Sequence, residues 1–123
     1  MSAKKKKDQG LPLITNSKAR HKFAIGDKYE AGIQLQGTEV KSIRSGNAQI
    51  SESFARIIKD ELFLFNAHIA EYEFGGDQNH EPQRPRKLLL KKKEIERLRA
   101  EIEAAGKTIV PLRLYFKESL IKC

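Results

Sequence analysis

Tyr29-Glu-Ala-Gly-Ile-Gln-Leu-Gln-Gly-Thr-Glu-Val-Lys-Ser-Ile-Arg44 is the stretch whose reading decides the fold. In its first half Tyr29, Ala31, Ile33 and Leu35 alternate with Glu30, Gly32, Gln34 and Gln36, the period of a half-buried strand. From Gly37 the pattern changes. Val40 and Ile43 stand three apart, which predicts a short helix starting near Thr38. Gly37 is expected to supply the turn between the two elements. A strand that drops into a helix carrying Lys41 and Arg44 is an edge suited to an anion.

Downstream, Ser45-Gly46-Asn47 breaks that helix, because Gly or Asn after a helix adopts the left-handed cap. Phe54, Ile57 and Ile58 lead through the polar turn Lys59-Asp60-Glu61 into Leu62–Ile69, the pattern of a hairpin. Its second run is apolar on both faces, as in a central barrel strand covered by a helix. Residues 70–85 form the longest loop, with Gly75, Gly76, Pro82 and Pro85. Arg86 to Gly106 is read as one helix, with Ile95, Leu98, Ile102 and Ala105 on its apolar stripe. Val110, Leu112, Leu114 and Phe116 then alternate with Pro111, Arg113, Tyr115 and Lys117. Pro111 cannot donate to a ladder, so an edge or bulge falls there.

Upstream, residues 1–15 read as a basic disordered arm, with Lys4 to Lys7 available as counter-charges to phosphate. Asn16 to Ile25 reads as a basic segment entering a strand with Phe23 and Ile25 inward. About five strand segments with one short and one long helix favour a mainly β domain with flanking helices over residues 16–123. An OB-fold-like small β-barrel is the first expectation and an α+β sandwich the second.

The 123 residues suffice for one domain. Twenty-four Lys and Arg against 16 Asp and Glu leave a net charge of +8, and the pI is near 9.7. Such basicity points first to a polyanion: RNA, DNA or anionic lipid. No apolar run approaches the ~20 residues of a spanning helix, so no membrane partner is expected. The N-terminus has charge without a following apolar stretch, unlike a secretory signal. The single cysteine, Cys123, fits a reducing, cytoplasmic compartment.

Charge is densest at Arg84-Pro-Arg86-Lys87-Leu-Leu89-Leu-Lys91-Lys-Lys93, where no acid interrupts the basic residues. Cations at a helix start oppose its partial positive charge, and a bound phosphate would offset that cost. Glu30 stands alone as a carboxylate among Gln and Gly on its strand face. It reads either as a surface partner of a lysine, or as an acceptor for a guanine N–H edge or a clamp on an arginine. His21, between Arg20 and Lys22, is an exposed candidate for stacking on a base. His68 reads as a barrel residue, and His21, His68 and His80 lack ligand spacing, so no metal or cofactor is expected. Tyr29, Tyr72, Tyr115 and Phe74 offer stacking surface or core. No hydrolase, P-loop, zincin or dinucleotide fingerprint occurs. A binding protein without catalytic residues is therefore expected, with a metal-dependent nuclease as the rival from another class.

Several stretches together resemble the SmpB family of tmRNA-binding (SsrA-binding) proteins. They are Asn16 with Lys18-Ala-Arg-His21, Tyr29-Glu-Ala-Gly32, Gly37-Thr-Glu-Val-Lys-Ser42, Arg86-Lys-Leu-Leu-Leu90 with Glu94-Ile95, and Val110-Pro-Leu-Arg-Leu-Tyr-Phe-Lys117. They run in the family's order over about a hundred residues. The resemblance implies an OB-type barrel that binds the tRNA-like domain of tmRNA and, with elongation factor Tu acting through alanyl-tmRNA, delivers it to stalled ribosomes. It implies an adaptor without catalysis, expected to act as a monomer. It carries Glu30, Leu89 and the charged positions around them onto the RNA-binding surface, and His21 onto the part facing the decoding region. The family's further C-terminal strand and basic tail are absent from this sequence, and Pro85 stands where the family has a small polar residue. A general structured-RNA-binding or ribosome-associated OB protein is the alternative.

Overall fold

A computed structural model describes residues 11–22, 25–118 and 120–123, with the side chains of Arg20 and Lys22 outside the described set. The readings made for Lys4 to Lys7 and for Phe23 therefore lie outside the described residues. Among the described residues nine strands, three α-helices and one 3-10 turn follow one another. Strand β1 is Ile14–Thr15, helix α1 Ser17–Lys22, β2 Gly32–Ile33, α2 Gly37–Arg44, β3 Ala48–Gln49, β4 Phe54–Ile58 and β5 Glu61–Phe65. Then come β6 His68–Ile69, the 3-10 turn Gly76–Gln78, β7 Arg86–Leu89, α3 Lys92–Ala105, β8 Arg113–Lys117 and β9 Leu120–Lys122. Seven strands form one antiparallel sheet in the order β1-β8-β9-β2-β7-β5-β4, and β3 pairs with β6 in a second.

The mainly β architecture with flanking helices is as the alternation dictates. The closed barrel is not. Strands β1 and β4 remain the edges of the sheet, and across the gap the Ala55 amide donates to the Ile109 carbonyl at 2.9 Å as an isolated bridge.

The opening stretch behaves largely as its pattern requires. Ala31 is buried, Tyr29, Ile33 and Leu35 pack against the core, and Ile43 of α2 is fully enclosed. The ladder proper is short, Gly32 and Ile33 pairing with Leu89 and Leu88 of β7. Gly37 is not the turn residue. Gln36 makes the entry in extended backbone (φ −82°, ψ 160°), and a methyl group on Gly37 would meet nothing within 4 Å. Gly46 (φ +80°) and Gly106 (φ +61°) do take the left-handed conformation at the ends of α2 and α3. Lys59 and Asp60, both at positive φ, close the β4–β5 hairpin with the twist such turns need.

Two segments depart from expectation. Arg86–Leu89 is a strand, and the long helix begins only at Lys92. The triplet Leu88-Leu89-Leu90 hides the period of two, since Arg86 and Leu88 point inward while Lys87 and Leu89 point outward. Ser17–Lys22 of the expected basic segment form helix α1, and Ile14–Thr15, at the end of the expected arm, pair with Leu114 and Arg113.

Asn16 explains how α1 is fixed. Its buried amide donates to the carbonyls of Ile50 (3.1 Å) and Pro111 (2.9 Å), and its side-chain oxygen accepts from the Ala19 amide (3.2 Å). Three segments far apart in sequence meet on one side chain. Asn16→Ala strands those groups away from water and is expected to cost about 1–3 kcal/mol. Urea unfolding measures it; a change within experimental error would show that water replaces the amide.

Candidate nucleic-acid interface

Antiparallel register places Tyr115 opposite Lys122, Lys122 opposite Gly32, and Gly32 opposite Leu89. Residues opposite one another share a face, so one row crosses four strands, β8, β9, β2 and β7, on the outside of the sheet. Arg113 and Lys117, two residues either side of Tyr115, lie on the same face. Glu30 reaches this row from the segment entering β2. Its carboxylate accepts from the Tyr115 hydroxyl and from Lys117 Nζ (3.1 Å), and Arg113 lies over the Tyr115 ring at 4.9 Å.

The electrostatics follow from those contacts. The Tyr115 hydroxyl, then the Lys117 ammonium, hold the Glu30 carboxyl below its ordinary value. Burial, and then the bond to Glu30, pushes the Tyr115 phenol up to about 12. Glu30 is thus ionised and Tyr115 a donor at neutral pH. Beside them Leu89 is 45% exposed, packed on Gly32, where an added Cβ would stand 3.3 Å from the Leu89 Cβ. The absence of a side chain at Gly32 leaves Leu89 a flat apolar seat. The face therefore combines an ionised acceptor, an apolar spot, and the cations Arg113, Lys117 and Lys122. That set suits the edges, riboses and phosphates of a folded RNA.

The remaining predicted residues are distributed as follows. Lys87 lies on the same outer face on β7 and pairs with Glu61. Lys91 precedes α3, exposed, with its amide donating to Glu94 Oε1 at 3.0 Å. Lys41 sits on α2 with its ammonium 5.3 Å from the centre of the Tyr72 ring, and Arg44 is exposed at the end of that helix. His21 is exposed on α1; the side chains of its neighbours Arg20 and Lys22 lie outside the described set.

Arg86 belongs to the core, which corrects its assignment to the RNA surface. It is completely buried. Its Nε donates to Glu39 Oε2 at 2.7 Å, and its other nitrogens donate to the carbonyls of Ala67 (2.7 Å) and Pro82 (3.0 Å). Arg84 joins the same carboxylate through two hydrogen bonds, at 2.6 and 3.0 Å, with part of its side chain still at the surface. Glu39 also accepts from the Gln36 amide at 2.7 Å, as the acid of a capping box does. One buried carboxylate thus ties α2 to β7 and to the loop before it.

Sequence reasoning passes over Glu39, whose arginine partners lie more than forty positions away. It also leaves Arg113, Lys117 and Lys122 outside the site and offers Tyr115 only as stacking surface or core, although the alternation from Val110 to Lys117 already puts Arg113, Tyr115 and Lys117 on one face. Among the described residues no group of three or more His, Cys, Asp or Glu is placed to hold a metal ion, and no helix is long and apolar enough to cross a membrane.

Residues 13–123 match the family model described as SmpB protein. An SsrA-binding protein of Staphylococcus carnosus is 52% identical over 122 residues, covering 99% of this chain and 78% of its own. One of Halalkalibacterium halodurans is 50% identical over 115 residues, covering 94% and 75%. A chain from a solved structure described as "tmRNA-SmpB: a journey to the center of the bacterial ribosome" is similar in fold, with a TM-score of 0.74 at 49% identity, covering 90% of this chain and 78% of that one.

Proposed function

The chain belongs to the SmpB family, and from that premise we propose that it binds the tRNA-like domain of tmRNA and brings it to stalled ribosomes in trans-translation. The observation that carries this reading is the row Tyr115–Lys122–Gly32–Leu89 with Glu30 held beside it. There, among the described residues, an ionised acceptor, an apolar seat and several cations converge on one face of the sheet. Phosphate contacts position an RNA; acceptors and apolar seats select its shape. Glu30 serves as acceptor for base or ribose donors, Leu89 as the seat, and Arg113, Lys117 and Lys122 as phosphate contacts.

The protein acts in this reading as an adaptor of tRNA-like shape, in the cytoplasm, as a monomer and without bond-making chemistry. Elongation factor Tu enters through alanyl-tmRNA. His21, on α1, is assigned to the ribosome-facing side.

The cations set a quantitative expectation. With Arg113, Lys117, Lys122 and Lys87 each displacing a counterion, log affinity for the tRNA-like domain should fall against log salt with a slope of roughly −3 to −4. Filter binding over a salt series measures it. A slope near zero would contradict phosphate contact on this face.

A further inference from the structure

The outer face of the β4–β5 hairpin carries side chains that a solvent-facing antiparallel strand does not ordinarily present. Ala55, Leu62 and Leu64 point inward and are buried. Alternation therefore sends Phe54, Arg56 and Ile58 of β4, and Glu61, Phe63 and Phe65 of β5, to the outside. Register sets Phe54 opposite Phe65, Arg56 opposite Phe63, and Phe63 opposite Lys87 of β7. The Phe54 and Phe65 rings stack at 5.6 Å with 19° between their planes, and the Arg56 guanidinium lies 5.4 Å from the Phe54 centroid. Ile58 is 43% exposed beside them. Glu61, the acid of this face, is engaged by Lys87.

We propose that this face is a stacking platform for unpaired nucleotides of an RNA. The proposal rests on the RNA-binding reading above and extends it to a second, adjoining site. Aromatic rings offer π-faces to bases of any sequence, while interleaved cations track the backbone between them. Arg56 and Lys87 stand next to the rings in that way. Lys87 is also two residues along β7 from Leu89, so a single strand leaving the Glu30–Leu89 site passes directly onto the rings. A basic protein partner fits less well, because Arg56 and Lys87 would oppose it.

The chain holds no tryptophan, so Phe63→Trp installs a single fluorescent reporter in the middle of the platform. Titration with single-stranded oligoadenylate is expected to quench that emission to saturation. Adding Arg56→Gln should raise the half-saturation concentration by about tenfold, with the melting temperature unchanged. Unchanged emission would overturn the proposal, as would equal quenching by duplex RNA of the same length, or quenching by whole ribosomes but not by oligonucleotide. A gel shift of the same variant with the tRNA-like domain separates the two readings, since retained binding without quenching defeats only the platform. Phe65→Trp reports on the same face if Phe63→Trp does not fold.

Discussion

Glu39→Ala is expected to destabilise the fold by about 3–5 kcal/mol, because it leaves Arg86 charged, buried and without its anion. Domains of this size are stable by about 5–15 kcal/mol in total, so the variant sits close to unfolding. Arg84 contributes less to the loss, since its side chain is partly exposed and can be rehydrated. Arg86 has no such escape. Replacing both partners, Glu39→Leu with Arg86→Met, should recover much of the loss, as apolar replacements of buried ion pairs commonly do. Recovery stays incomplete because the Ala67 and Pro82 carbonyls lose their donor. Urea unfolding of the two single variants and the double measures this coupling; strictly additive losses would contradict it.

The same carboxylate makes stability depend on acid. Burial alone would raise the Glu39 pKa, but hydrogen bonds from Arg84, the Gln36 amide and Arg86 outweigh it and hold the value below the ordinary one. A folded-state value below the unfolded one means the stabilisation is complete above the unfolded pKa, about 4.3. It is lost as pH falls through the folded value.

Glu30→Ala should act on binding and spare the fold. Affinity for the tRNA-like domain is expected to drop by about tenfold or more, the effect of losing a charged acceptor that meets RNA donors. The unfolding midpoint should hardly move, because Glu30, Tyr115 and Lys117 meet at the surface, where an ion pair adds little. Tyr115→Phe should reproduce part of the loss by releasing the carboxylate that the phenol orients. Fluorescence anisotropy with labelled RNA, paired with a thermal melt, measures both. An unchanged dissociation constant would return Glu30 to an ordinary surface ion pair.

Much of this arrangement is legible in the sequence where a period repeats. Tyr29 to Leu35 alternates as its burial does, and Arg113 to Lys117 does likewise within β8, whereas Pro111, expected outward, is buried ahead of that strand. Ile43, Leu98 and Gly106 fall where helical spacing puts them. Legibility ends where one residue type suits two environments. Leu88-Leu89-Leu90 fits a helix or a strand, and pairing with Leu62 and Ile33 decides it. That pairing divides the basic run, sending Arg86 to the core, Lys87 to the outer face, and Lys91 to the entry of α3. Charge alone does not separate a phosphate contact from the partner of a buried acid; only the position of Glu39 does. The site is less legible for the same reason. Glu30 stood alone in the sequence because its partners, Tyr115 and Lys117, lie more than eighty residues away. Whether the sheet closes is likewise set by pairing between distant edges, which no local pattern records.

This surface is expected to select the shape of a tRNA-like fold and to do more than attract phosphate. Competition tests it most directly: labelled tRNA-like domain of tmRNA bound to the protein, displaced at moderate salt by unlabelled copies or by duplex RNA of equal length. Displacement by duplex should require at least about a hundredfold higher concentration than displacement by the unlabelled domain. Equal potency of the two competitors would contradict the claim and leave a general basic RNA binder.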